Sequence, residues 1–105
     1  ACNEIKVQST MKAYWITRCH VHNPDEYDKY IQLAGPAISK NGGTFLVRGG
    51  DQEELEGGPY ERTVLVEFNS MEEAKFCYES DEYQEALTYS INSSNRHVVL
   101  VEGVS

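Results

Sequence analysis

The stretch Gly42-Gly43-Thr44-Phe45-Leu46-Val47-Arg48-Gly49-Gly50 decides how this chain folds. A glycine pair behind a helical pattern stops the helix. Thr44 through Arg48 then form a short strand rich in aromatic and β-branched residues, and a second glycine pair bends the chain away. The strand carries an arginine among apolar residues. A charge on a strand of a packed domain needs a partner or a ligand, because leaving it buried and unpaired is costly. The stretch therefore bears on both a fold and a site.

Upstream of it, residues 12–21 read as a strand, aromatic and β-branched without Gly or Pro. Asn23-Pro24-Asp25-Glu26 starts a helix: Asn23 caps, Pro24 suits the first position and Glu26 completes a capping box. Tyr27, Tyr30, Ile31, Ala34 and Ile38 recur at helical spacing, and Asn41-Gly42 ends the pattern. Pro36 falls inside it and is expected to kink or split the helix.

Downstream, residues 49–61 are polar. Glu53-Glu54-Leu55-Glu56 offers a short edge strand and Gly57-Gly58-Pro59 a turn. Residues 63–68 form a third strand. Ser70 and Glu73 open a second helix with the stripe Met71, Ala74, Cys77 and Tyr78. Ser80-Asp81-Glu82 restarts a helix bearing Tyr83, Ala86, Leu87 and Ile91. Residues 92–95 read as a loop and 97–102 as the last strand. The order is strand–helix–strand, twice. It predicts an α+β, ferredoxin-like βαββαβ sandwich: a four-stranded antiparallel sheet with helices on one face.

The length suits one domain, assigned to residues 11–105, with residues 1–10 an N-terminal extension or a cloning remnant. A net charge of −8 excludes nucleic acid and anionic membranes as partners, since both need a basic surface. Cys2, Cys19 and Cys77 are odd in number and lack CxxC spacing, so a reducing, cytoplasmic setting is expected. No apolar run reaches membrane-spanning length, and residues 1–10 lack the blocks of a signal peptide.

Several motifs, in this order and spacing, resemble the DUF1330 family over about residues 12–104. They are Ala13-Tyr14-Trp15-Ile16, Asn23-Pro24-Asp25 with Tyr27 and Tyr30, the residue 42–50 stretch, Leu55-Glu56-Gly57, Glu61-Arg62, Val66-Glu67-Phe68, Ser80 with Glu82-Tyr83, and Val99-Leu100-Val101-Glu102-Gly103. The resemblance implies a dimeric α/β barrel, in which the open sheet face of one protomer packs on its twin. It implies no established activity. Relatives in the wider superfamily include cofactor-free monooxygenases, haem-degrading enzymes, muconolactone isomerases and stress-response proteins. One departure stands out: family members usually carry an arginine after the Tyr-x-x-Ala-Leu helix, where this chain has Thr88-Tyr89-Ser90. Its loss puts in doubt an anionic ligand that such an arginine would help to hold.

Strand alternation sorts candidate site residues by face. Tyr14, Ile16, Arg18 and His20 share one side of the first strand; Ala13, Trp15, Thr17, Cys19 and Val21 share the other, more apolar side. Taken straight, the second strand sets Thr44, Leu46 and Arg48 against Phe45 and Val47. The open face would then gather Tyr14, Arg18, His20, Arg48, Glu67 and His97. A bulge in any strand would swap its two sets.

Two readings of this constellation stand. In the first, Arg48 and Arg18 anchor a small organic acid or aromatic by paired hydrogen bonds. Glu67 and His20 move a proton, Tyr14 and Trp15 shape the wall, and Tyr83 sets its hydroxyl at a cavity mouth. Cofactor-independent proton transfer or oxygenation is the chemistry that follows. In the second, Arg48 and Glu67 pair with each other, and the protein is a non-catalytic metabolite-binding or stress-response homodimer. His20 and His22 share a face but lack a third ligand, so no metal is expected, and no cofactor.

Overall fold

The computed structural model describes residues 11–104, so the expectation for residues 1–10, and Cys2 with it, lies outside the described residues. Four strands form one antiparallel sheet: β1 (Ala13–Val21), β2 (Thr44–Arg48), β3 (Arg62–Phe68) and β4 (Ser94–Glu102). Their order is β2-β3-β1-β4. Helices α1 (Pro24–Lys40), α2 (Met71–Glu79) and α3 (Asp81–Ser90) cover one face. This is the ferredoxin-like α+β arrangement. Within one chain the sheet is open and does not close into a barrel.

The helices start where short polar side chains can satisfy free N–H groups. Asn23 accepts from the Glu26 N–H, and Ser70 accepts from the Glu73 N–H. Ser80 serves two helices at once. It accepts from the Tyr83 N–H to start α3, and its own hydroxyl donates to the Cys77 carbonyl at the end of α2. α1 ends in a Schellman pair: the Gly43 N–H donates to Ile38 O and the Gly42 N–H to Ser39 O, with Gly42 at φ +95°.

Three expectations need correction. α1 is not split at Pro36; it runs on as one helix. Ala34 and Gly35 before the proline and Ala37 and Ile38 after it are all buried, so packing on one sheet holds both halves together. Residues 53–56 form no strand; among the described residues β2 is the edge of the sheet and nothing pairs beyond it. β4 begins at Ser94 rather than at residue 97, since its first residues pair with Val21 and His20 of β1.

The core lies between helices and sheet, and Trp15 is its centre. That ring stacks on Phe68 (5.9 Å) and meets Tyr83 edge-on (4.9 Å). Its indole N–H donates to Thr17 Oγ1. Val66, Phe68, Ala74, Cys77, Tyr83 and Ala86 are buried around it. With Trp15 only 1% exposed, Trp15→Ala is expected to cost about 3–5 kcal/mol in urea unfolding. A loss below about 1 kcal/mol would mean that the ring is not packed as described.

Candidate functional site

The position of Arg48 turns on one irregularity in the β2–β3 ladder. Phe45 pairs with Val66, but Val47 pairs with Leu65 and Arg48 with Val64, so a bulge lies between Phe45 and Val47. One extra residue on β2 reverses the faces that follow it. Arg48 therefore shares a side with Val64 and Val66, facing the helices. It does not lie on the open face with Glu67. Within one chain Arg48 and Glu67 do not pair, because the sheet stands between them.

On the helix side Arg48 borders a small apolar space between α1 and the sheet. The walls are Trp15, Tyr27, Ile31, Ala34, Phe45 and Val66. The free volume is about 30 Å³, the share of one water molecule. Arg48 lies at the rim with its guanidinium 4.1 Å from the Phe45 ring centroid. It also lies against Gly35 of α1, so close that a Cβ at position 35 would collide with it. That contact explains a glycine inside a helix, where alanine would be better by about 1 kcal/mol. An exposed cation–ring contact is worth only about 0.5–1 kcal/mol, so Arg48 can swing aside at small cost.

Two further arginines face the same way. Arg62 on β3 and Arg96 on β4 both pair with Cys19 of β1, and so flank it on the helix side. Arg62 lines the same space as Arg48. Arg96 donates to the Tyr83 hydroxyl at 3.0 Å and stacks on Tyr30, whose hydroxyl lies 2.7 Å from that of Tyr83. Burial pushes the Tyr27 and Tyr83 phenols well above their usual range, so both stay protonated. Among the described residues, no carboxylate comes within 4.0 Å of Arg48, Arg62 or Arg96. Among the described residues, Arg62 Nε and Arg96 Nη1 are buried without a hydrogen-bond partner.

The open face differs. Arg18 Nη2 donates to Glu54 Oε1, and the Tyr14 hydroxyl donates to Glu67 Oε2 at 3.0 Å. His20 Nδ1 lies 3.0 Å from Glu61 Oε1, and His97 Nε2 3.0 Å from the Tyr60 hydroxyl. Each ionic group there has a protein partner. A groove of about 440 Å³ runs beside Arg18 under residues 50–56, but Asp51, Glu53, Glu54 and Glu56 line it and would repel an anion. Of the predicted site residues, Arg48 and Trp15 meet at the helix-side space. Tyr14, Arg18, His20 and Glu67 stay on the other face. Tyr83 is 0% exposed, so its hydroxyl ends inside the core rather than at a cavity mouth. Among the described residues, no three metal-ligating side chains cluster and no helix is long and apolar enough to cross a membrane.

Arg62, Arg96 and Gly35 escape the sequence reading. Starting the third strand at residue 63 and the last at residue 97 drops both arginines off the strand ends. Extending the alternation by one step, from Val64 to Arg62 and from Val98 to Arg96, would have placed them on the helix side.

The family model described as "Domain of unknown function (DUF1330)" matches residues 12–104. Among solved structures, a protein of unknown function from Rhodopseudomonas palustris is similar at TM-score 0.75 and 13% identity, covering 97% of this chain and 93% of that one. SnoaB, a cofactor-independent oxygenase from Streptomyces nogalater, aligns at TM-score 0.62 and 13% identity, over 90% and 95% of the two chains. A dimeric ferredoxin-like protein of unknown function from Thermobifida fusca aligns at TM-score 0.58 and 17% identity, over 89% and 92%. At such identities the likeness shows the fold alone. No curated protein matches the sequence.

Two measurements check this geometry. In an Arg48→Ala background, Gly35→Ala is expected to raise stability by about 1 kcal/mol, the ordinary helix gain. In the parent protein the gain is expected to be less than half of that, because the methyl group displaces the guanidinium; equal gains in urea unfolding would refute the contact. The second concerns Glu61, whose carboxyl is held down to about 2 by hydrogen bonds from His20 and the Val21 N–H. The unfolded chain binds this proton more readily. The contribution is therefore full above the ordinary value of 4.5 and fades as pH falls through about 2. Glu61 is half exposed, so the effect is small. Glu61→Gln should narrow the drop in melting temperature across that window; an unchanged drop would show that the bonds do not persist in solution.

Proposed function

The chain belongs to the DUF1330 family, and from that premise we propose that it is a small-molecule-binding protein whose ligand, a small organic acid or aromatic, enters between α1 and the sheet. One observation carries this reading: the apolar space under α1 is lined by two arginines and by no carboxylate among the described residues. Ligand pockets are commonly apolar with a few convergent polar groups. The space holds little more than a water as it stands, so the ligand takes room that Arg48 yields. The titratable groups lining it, besides the arginines, are the Tyr27 and Tyr30 phenols, which favours binding over proton abstraction at this place. Oxygenation without a cofactor, the activity given for SnoaB, is the catalytic form of the same reading. A proton-transfer role for Glu67 or His20 belongs to the open face and needs a substrate there.

The proposal includes a homodimer through the open face. Ile16, Leu65, Val99 and Val101 lie together there by register, and Val99 and Val101 are 53% and 45% exposed. The paired ionic groups form a rim around them, as at many interfaces. The Thermobifida fusca and Bacteroides fragilis neighbours are both described as dimeric.

Thermal-shift measurements with a panel of small aromatics and organic acids test the pocket. Saturation at about 100 times Kd is expected to add about 2.7 kcal/mol, several degrees in a domain of this size. Ala34→Leu, which fills the space, is expected to abolish the shift; a panel that shifts both proteins alike would place the binding elsewhere. Light scattering tests the pairing. A dimer is expected for the parent protein and a monomer for Val99→Asp/Val101→Asp, whereas a parent monomer at micromolar concentration would remove the interface.

A further inference from the structure

We infer that Arg62 and Arg48 together form a carboxylate seat at the rim of the α1–sheet pocket, Arg62 as the fixed anchor and Arg48 as a movable latch. The inference rests on the pocket reading above and narrows its ligand to a flat apolar body bearing a carboxylate.

Three observations converge on this seat. The first is charge. In a chain of net charge −8, two arginines line one small space, and among the described residues neither has a carboxylate within 4.0 Å. Two like charges at one rim repel each other, and an anion between them relieves the repulsion. The second is hydrogen bonding. Among the described residues Arg62 Nε is buried without a partner, so this guanidinium has hydrogen-bonding capacity that the protein leaves unused. A guanidinium offers parallel N–H groups that match the two oxygens of a carboxylate. The third is space. A glycine stands against each arginine: a Cβ at Gly35 would strike the Arg48 guanidinium, and a Cβ at Gly49 would strike that of Arg62. Gly49 has a positive φ of +73° and so has a backbone reason of its own, but Gly35 is helical and, among the described residues, a Cβ there would meet only Arg48.

The two arginines differ in how firmly they are held. Arg62 is half-buried between β1 and the bend at Gly49, with one nitrogen sealed from water. Arg48 is exposed; its guanidinium rests on the Phe45 ring and lies against Gly35. The acid's body takes the room beneath Ala34 and Ile31 that Arg48 yields as it swings out, and Arg48 in its displaced position meets the carboxylate at the rim. Arg96 stands apart, committed to Tyr83 and Tyr30.

The test compares matched probes by calorimetry: benzoate and phenylacetate against benzamide and phenylacetamide. The acids are expected to bind the parent protein about tenfold or more tighter than their amides, the worth of one charge-assisted hydrogen bond. Arg62→Gln and Arg48→Gln should each weaken the acids by about tenfold and the amides by less than twofold, while Arg18→Gln on the open face changes neither. Circular dichroism melts confirm that each variant is folded, and Arg62→Lys, which keeps charge without the paired N–H groups, is expected to restore the acids only in part. Equal binding of acids and amides overturns the carboxylate seat and leaves the pocket standing. Binding of neither probe class to the parent overturns the pocket and this inference together. Acid binding that survives both glutamine substitutions, or falls with Arg18→Gln, also overturns the seat.

Discussion

A single surplus residue in β2 governs what this protein presents to a ligand. Strand side chains alternate with a period of two, so one inserted residue moves everything after it to the opposite side. Between Phe45 and Val47 the β2–β3 pairing slips by that one step. Near its start the strand turns Phe45 to the helices, and it still ends with Arg48 turned to them. Without the slip Arg48 would share the open face with Glu67, and the space under α1 would have one guanidinium at its rim in place of two.

The slip separates two electrostatic regimes across one sheet. On the open face the polar groups are paired within the chain: Arg18 with Glu54 as an ion pair, and His20 with Glu61 and Glu67 with the Tyr14 hydroxyl by hydrogen bonds. Such exposed pairs contribute little energy, but they leave few polar groups unmet. On the helix side the positive groups meet phenols and ring faces instead. Arg96 rests on Tyr30 and Tyr83, and Arg48 on Phe45. A tyrosine hydroxyl accepts a hydrogen bond but brings no countercharge, so the helix side of the sheet in an acidic protein keeps arginines without a carboxylate partner among the described residues.

Local chemistry explains why so much of the architecture was legible. Asn23, Ser70 and Ser80 cap helices as their sequence contexts predict, and Gly42-Gly43 ends α1 by a motif whose bonds are local. Strand faces followed simple alternation on β1 and β3. What escaped depends on partners distant in sequence. The bulge exists only in relation to β3, and nothing within Thr44–Arg48 announces it. The start of β4 at Ser94 depends on Val21 across the sheet, and this hid Arg96. Pro36 reads as a breaker by local rules, yet burial on both sides keeps α1 whole. Tyr83 reads as a helix-start residue near an opening; its depth depends on Arg96 and Tyr30, which the sequence does not bring near it.

The contact between Gly35 and Arg48 ties together two positions on different elements. Neither residue is free to drift alone. A bulkier side chain on the helix would strand the guanidinium in solvent, and a shorter side chain on the strand would leave the helix with a needless weak point. Among homologues the two sites should therefore change in concert, so that a small residue before the helical proline serves as a marker for chains whose second strand ends in arginine.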